Sequence, residues 1–130
     1  MGAALALQAA IISHLAQIGD LTGVYHDAPA RASFPYAILI CGGEKDWSCK
    51  GRQGREIALQ LVLWDEQPAR LLEVEKQVVL DRESILIAAG WHLSSLLFTG
   101  KRRVRNPLGP WNCVFEFRVR MLSNPAGEGS

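Results

Sequence analysis

"EIALQLVLW" runs from Glu56 to Trp64, and its reading decides the fold. Ile57, Leu59, Leu61 and Leu63 fall on one side of an extended chain, and Ala58, Gln60, Val62 and Trp64 on the other. That period of two predicts a strand. Both sides are fairly apolar, so the strand belongs in the middle of a sheet. Its neighbours read the same way. "WNCVFEFRVRML" (111–122) alternates strictly, with Trp111, Cys113, Phe115, Phe117, Val119 and Met121 toward the core and Asn112, Val114, Glu116, Arg118 and Arg120 outward. "FPYAILIC" (34–41) is a strand opened by Pro35, and "GVYHDAP" before it is a short extended piece closed by Pro29.

Two helices complete the pattern. Residues 3–18 are alanine-rich, with Leu5, Ile12, Leu15 and more loosely Ile11 and Ile18 near one side, and Gly19-Asp20 ends the run. "DEQPARLLEVEKQVVLDRE" (65–83) has Pro68 in its first turn and Asp65 and Glu66 beside its N-terminus, where acids suit the helix dipole. Its expected buried stripe is Leu71, Val74 and Val78, with Leu72 and Val79 beside it. "ILIAAGWHLSSLLF" (85–98) reads as two short strands turning at Ala89-Gly90, and "TGKRRVRNPLGP" (99–110) as a basic loop. Strands joined by turns rather than by alternating helices predict an α+β fold. The expectation is a mostly antiparallel sheet with two α-helices packed on one face and a long β-hairpin arm.

At 130 residues the chain holds one domain with a real core. The domain is expected over residues 1–122, with the polar "SNPAGEGS" (123–130) as a disordered tail. A net charge of +1 lacks the basic excess of a dedicated nucleic-acid binder. The charge is nonetheless uneven: residues 101–120 carry six basic groups against Glu116, and residues 65–84 carry six acids against three bases. Such polarity suits head-to-tail contact between copies as well as an anionic partner. Three cysteines without a C-x-x-C pair argue against a disulfide framework and for a reducing compartment during assembly. The N-terminus lacks a basic leader and carries Gln8, Ser13, His14 and Gln17, unlike a signal peptide, and no apolar run is long enough to span a bilayer.

Candidate chemistry is thin. The glycines of "GGEKDWSCKGRQGREI" (42–57) miss the P-loop spacing, and a strand rather than a helix follows them. His14, His26 and His92 lie in three separate elements, and Cys41, Cys49 and Cys113 are not at chelating spacing. His92 and Ser94 point the same way on one strand, but no nucleophile elbow presents the serine. No catalytic, cofactor or metal residue is assigned.

The length of the 42–57 connection is the unusual feature, since sheet strands usually connect in two to five residues. Trp47 near its tip either anchors a partner surface or folds back over the chain's own sheet. Lys50, Arg52 and Arg55 surround it as basic residues beside a candidate anchor for another protein. Lys101, Arg102, Arg103 and Arg105 form a second basic patch, read either as solvated charge or as contact to phosphates or an acidic protein face.

In order and spacing the chain resembles the tail completion, or tail terminator, proteins of long-tailed phages and gene transfer agents. The resemblance runs through "LQAAIISHL", "VYHDAP" with "FPYAILI", "DWSCKGRQGREIALQLVLW", "ARLLEVEKQVV", "GWHLSSLLF" and "RNPLGPWNCVFEFRVRM", to about residue 122. It departs at Asn106-Pro107-Leu108-Gly109, where such proteins often have Asp-Pro-Asp-Gly, and at Cys49, where threonine is common. The resemblance implies a non-enzymatic structural protein without cofactors. Such proteins form a ring, typically a hexamer, at the head-proximal end of the tail tube. The implied partners are copies of itself, the tail tube protein and the head connector, with DNA passing transiently through the lumen and no membrane. The implied location is a virion or gene-transfer-agent particle assembled in the bacterial host cytoplasm. The 47–55 cluster would then contact a neighbouring subunit or the tube, and the 101–105 patch would face the lumen or an interface. The alternatives are a connector or adaptor elsewhere in the same particle, and a nucleic-acid-binding module using the 101–105 segment.

Overall fold

The computed structural model describes residues 2–88 and 90–124. The chain order is α1 (Ala3–Leu15), β1 (Val24–Tyr25), β2 (Tyr36–Asp46), β3 (Gly54–Asp65), α2 (Pro68–Gln77), β4 (Trp91–Arg105) and β5 (Trp111–Ser123). The strands make one sheet in the order β1-β2-β3-β5-β4. β1 pairs with β2 in parallel, and every other pair is antiparallel. β3 is therefore the middle strand, and Ile57, Leu59, Leu61 and Leu63 are at most 1% exposed. The fold class is the expected α+β, with both helices on one face of the sheet.

The register sets which side chains share that covered face. Leu39, Leu61, Phe115 and Lys101 lie in one row across the sheet, and Ala37, Leu63, Cys113 and Arg103 in the next. α1 lays Ala3, Leu7, Ile11 and Leu15 onto this face, one residue per turn. The stripe differs from the expected one: Leu5 is 61% exposed, and the side of Leu7, with the small Ala3 and Ala6, faces the sheet instead. α2 buries Leu71, Val74 and Glu75. It stops at Gln77, where Val78 turns extended (ψ 101°) and packs against the core; Val79 beyond it and Leu72 on the helix are exposed.

Two expectations are corrected between residues 78 and 105. No strand forms over 85–88; the segment crosses the end of the sheet irregularly, burying Ile85 and leaving Leu86 exposed, and the expected turn at Ala89 lies outside the described residues. The basic run is strand rather than loop. β5 pairs with β3 on one side over its whole length, and its other side is completed by β4 as far as Arg105↔Trp111. Lysine and arginine are tolerated there because β4 is an edge strand, where charge is common. The first residues of the expected tail also join the sheet: Ser123 closes β5, and the Asn124 amide donates to the Gly90 carbonyl at 3.0 Å. Residues 125–130 lie outside the described residues.

Most of the 42–57 connection is strand. β2 runs to Asp46, with an irregularity between Cys41 and Glu44, and β3 starts at Gly54, already paired with Leu122. Only residues 47–53 leave the ladder. They close on a two-residue turn in which Lys50 (φ 50°) and Gly51 (φ 77°) are both left-handed, as a type I′ hairpin requires. Cys49 and Arg52 exchange backbone bonds of 3.1 and 2.9 Å across it. At the base, a β-carbon on Gly54 would sit 2.3 Å from the Trp47 carbonyl oxygen. Gly54→Ala is expected to destabilise the chain by about 1–3 kcal/mol through this overpacking, read from a chemical denaturation curve, whereas Gly43→Ala, which meets nothing within 4 Å, should be near neutral.

Candidate assembly surfaces

The hairpin tip is built against its own sheet. The Trp47 amide donates to the Gly54 carbonyl at 2.9 Å, and the Arg120 guanidinium lies 5.1 Å from the Trp47 ring centre. Asp46 accepts from the Ser48 hydroxyl at 2.5 Å, and that hydroxyl accepts from the Gly54 amide at 3.0 Å. The Ser48 hydroxyl is also the main reason the Asp46 carboxyl is held below its usual range. Arg52 Nε donates to the Ser123 carbonyl at 2.8 Å, and the Gln53 carbonyl accepts from the Ser123 amide at 2.8 Å. Trp47 is half-buried by these contacts, so the second of its two readings describes the single chain. Arg52 is tied to the end of β5. Lys50 is exposed at the tip, and Arg55 on β3 faces Glu44 at 3.5 Å. Trp47, Lys50, Arg52 and Arg55 thus share one end of the sheet, with Lys50 the most outlying.

The 101–105 segment is not one patch. Strand alternation sends Lys101, Arg103 and Arg105 to the covered face and Arg102 to the other. Arg103 makes a two-pronged pair with Glu75 on α2, with Nε and Nη2 each 2.9 Å from an oxygen, and Lys101 Nζ sits 3.3 Å from the same carboxylate. Burial pushes the Glu75 carboxyl up, but Arg103 and Lys101 outweigh it and hold the group below its usual range. Cys113 beneath it is pushed up to about 12, first by burial and then by the Glu75 charge, so it is an inert core thiol. Arg105 lies over the Trp111 ring at 5.4 Å, and Arg102 pairs with Glu116. Sequence reasoning missed Glu75 entirely; a lone acid in a helix stripe, between Val74 and Val78, was its only signal.

The other sheet face carries no helix among the described residues. Ile40, Gln60, Glu116 and Gly100 form one row across it, and Lys45, Glu56, Arg120 and Ser95 another. Glu56 gathers Lys45 at 3.1 Å, Arg120 at 3.0 Å and Arg118 at 3.9 Å, and Arg120 first, then Lys45, hold its carboxyl below the usual range. A shallow groove of about 480 Å³ crosses this face, lined by Lys45, Glu56, Gln60, Glu116 and Arg118. Its charged groups are already engaged in ion pairs, and no nucleophile and base face each other in it. Leu97 and Val104 add exposed apolar surface. At the β4–β5 turn Asn106 accepts from the Leu108 amide at 3.1 Å, and the Leu108 side chain is fully exposed where the resembled proteins carry an acid. Among the described residues, no group of three His, Cys, Asp or Glu side chains is placed to hold a metal.

No protein-family model matches the chain, and no curated protein matches it. A solved structure does: a chain of the "Virion of native gene transfer agent (GTA) particle" superposes with a TM-score of 0.66 at 21% sequence identity. The match covers 93% of this chain and 97% of that chain, so the two share one fold from end to end.

Proposed function

We propose that this protein is a structural component of a virion or gene-transfer-agent particle, and within it a tail terminator. Copies would form a ring, a hexamer on the resemblance, that caps the tail tube and meets the head connector. The observation that carries this reading is the whole-length fold likeness to a chain of a gene-transfer-agent virion. The surface supports it: the chain offers a helix-free sheet face, a long strand edge and an outlying hairpin tip, all suited to contact with other proteins rather than to chemistry. Among the described residues no constellation of groups supports an enzymatic role. Lys50 and Arg55 at the tip remain the side chains proposed to reach a neighbouring subunit or the tube, with Trp47 and Arg52 holding the tip in place. Arg102, with Arg118 and Arg120 on the same face, takes over as the proposed lumenal or interface charge.

Electron microscopy of particles made without the gene tests the role. Tails of uncontrolled length that fail to join heads are expected; normal tails joined to heads would reject it. Deletion leaving tails of normal length but unattached would favour the connector reading.

The isolated subunit is expected to bind duplex DNA weakly and without retention at physiological salt. Glu75 neutralises part of the 101–105 charge, leaving few free cations to displace counterions. A steep salt dependence in a filter-binding or anisotropy titration would revive the nucleic-acid module.

A further inference from the structure

We infer that the helix-free face of the sheet is the docking surface for an acidic, amphipathic segment of a different protein, not a wall for passing DNA. Strand alternation divides this face into two halves. One half is apolar and aromatic. Tyr36, Trp64 and Val104 lie in one row, and Tyr25, Ile38 and Val62 in the next. None of these side chains belongs to the core cluster under the helices. The Trp64 indole N–H lies among them without an acceptor among the described residues. The rest of the face carries charge, and the charge does not balance. Lys45, Arg102, Arg118 and Arg120 meet only Glu56 and Glu116, so four cations less two carboxylates leave a surplus of two. Glu44 and Arg55 beside them pair with each other and leave that surplus unchanged. Glu116 takes Arg102, while Glu56 is shared by Arg120 at 3.0 Å, Lys45 at 3.1 Å and Arg118 at 3.9 Å. Arg118 is thus the most loosely held, and it lines the groove of about 480 Å³ where Gly43 and Ala58 leave room.

The two halves together select the occupant. A duplex would set its phosphates against Glu56 and Glu116 as well as against the cations, and it would leave the aromatic half bare. A protein segment with apolar side chains on one side and carboxylates beside them covers both. Aromatic and aliphatic anchors at the centre with arginine beside them are what protein interfaces favour. The surplus of positive charge then selects an acidic partner over a neutral or basic one. The chain's own acid-rich stretch does not supply that partner. Of the six acids over residues 65–84, Asp65 and Glu75 are buried, and Glu73 and Glu83 are paired with Lys76 and Arg82. The inference rests on the interface charge proposed above and commits it to one class of partner. Binding is read on the isolated chain and the tail role on the deletion, so either can fail while the other stands.

Amide NMR titration of the full-length chain at physiological salt gives the test. The probes are a short helical peptide with a leucine stripe flanked by glutamates, the same peptide with lysine for each glutamate, and a short DNA duplex. The acidic peptide is expected to shift the amides of Gln60 and Arg118 and the indole N–H of Trp64, and to bind about tenfold more tightly than the lysine peptide. Arg118→Glu should weaken it about tenfold and Arg118→Lys much less. Ile40→Thr, at the border of the two halves, should weaken both peptides alike. The Arg118 side chain is 45% exposed and Ile40 is 42% exposed, so these substitutions should leave the fold intact, and the comparison of the two peptides needs no variant. Absence of shifts up to millimolar acidic peptide overturns the inference. Equal affinity for the lysine peptide, or shifts confined to Lys101 and Arg103 on the other face, does the same. Duplex DNA shifting the same three reporters as strongly would make the face a DNA wall. The same shifts on concentrating the chain alone would make its occupant a second copy. Either result overturns the inference.

Discussion

Arg70→Ala should lower the stability of the folded chain by about 3–5 kcal/mol, the range for stranding one member of a buried ion pair. The penalty falls on Asp65. Its side chain is wholly buried at the end of β3, where it accepts from Arg70 Nε at 2.7 Å, Arg70 Nη2 at 2.6 Å and the Gln67 amide at 3.1 Å. Burial raises the carboxyl, but the Arg70 and Gln67 bonds reverse the sign and leave it below its usual range. α2 begins at Pro68 with no side-chain cap, so Asp65 and Arg70 tie the strand end to the first turn of the helix in the place a cap would occupy. Asp65→Asn keeps the shape and one acceptor, and it removes the buried charge together with the pair. It should therefore be milder than Arg70→Ala. Urea denaturation at neutral pH separates them; equal effects would mean that the stranded carboxylate adds no penalty and that both variants lose only the Arg70–Asp65 bonds. Because the folded carboxyl is depressed, its contribution is complete above the ordinary carboxylate range and is lost as the pH falls through the folded value. The gap between wild type and Arg70→Ala should thus narrow below about pH 4.

How much of this was legible in the sequence depends on how local each signal is. β3 and β5 declare themselves because a strand's alternation needs only the strand. Leu7 was passed over in favour of Leu5 because periodicity alone does not say which arc of an alanine-rich helix comes closest to the sheet. "KRRVR" reads as a loop because charge and the following Asn106-Pro107 are turn signals. In the fold the segment is an edge strand, and that status depends on strand order, which no short stretch encodes. The tip is the reverse case. The fourteen residues between the two expected strands read as a hairpin arm; its sides are strand, as a hairpin requires, but they stay within the sheet, and the left-handed pair Lys50-Gly51 makes the turn. A glycine at the second turn position was the cue available. Asp65 was correctly placed beside the α2 N-terminus, but its partner five residues on was not foreseen. Glu75 carries no local signal of its partners, since they lie 26 and 28 residues away on the part of β4 that reads as a loop.

Removing both partners of Glu75, as Lys101→Ala with Arg103→Ala, should destabilise the chain by about 3 kcal/mol or more, the cost of a buried carboxylate left without a counter-ion. The Glu75 side chain is only 3% exposed, under the helix and against Cys113, so water cannot replace the lost pair. Either single substitution leaves the other cation within reach and should cost less than half as much, so the two effects are expected to be more than additive. Glu75→Gln in the double-variant background should restore much of the loss, because it removes the stranded charge. Failure to restore it would assign the effect to lost packing instead, as of Lys101 over Phe115. The pH dependence gives a second readout. In the wild type the folded Glu75 carboxyl is depressed, so the stability it contributes is present at neutral pH and lost on acidification. In the double variant burial acts unopposed and the carboxyl rises above its ordinary value, so the sign inverts and the chain should become more stable as the pH falls toward 4. This pair fastens α2 to the edge strand β4.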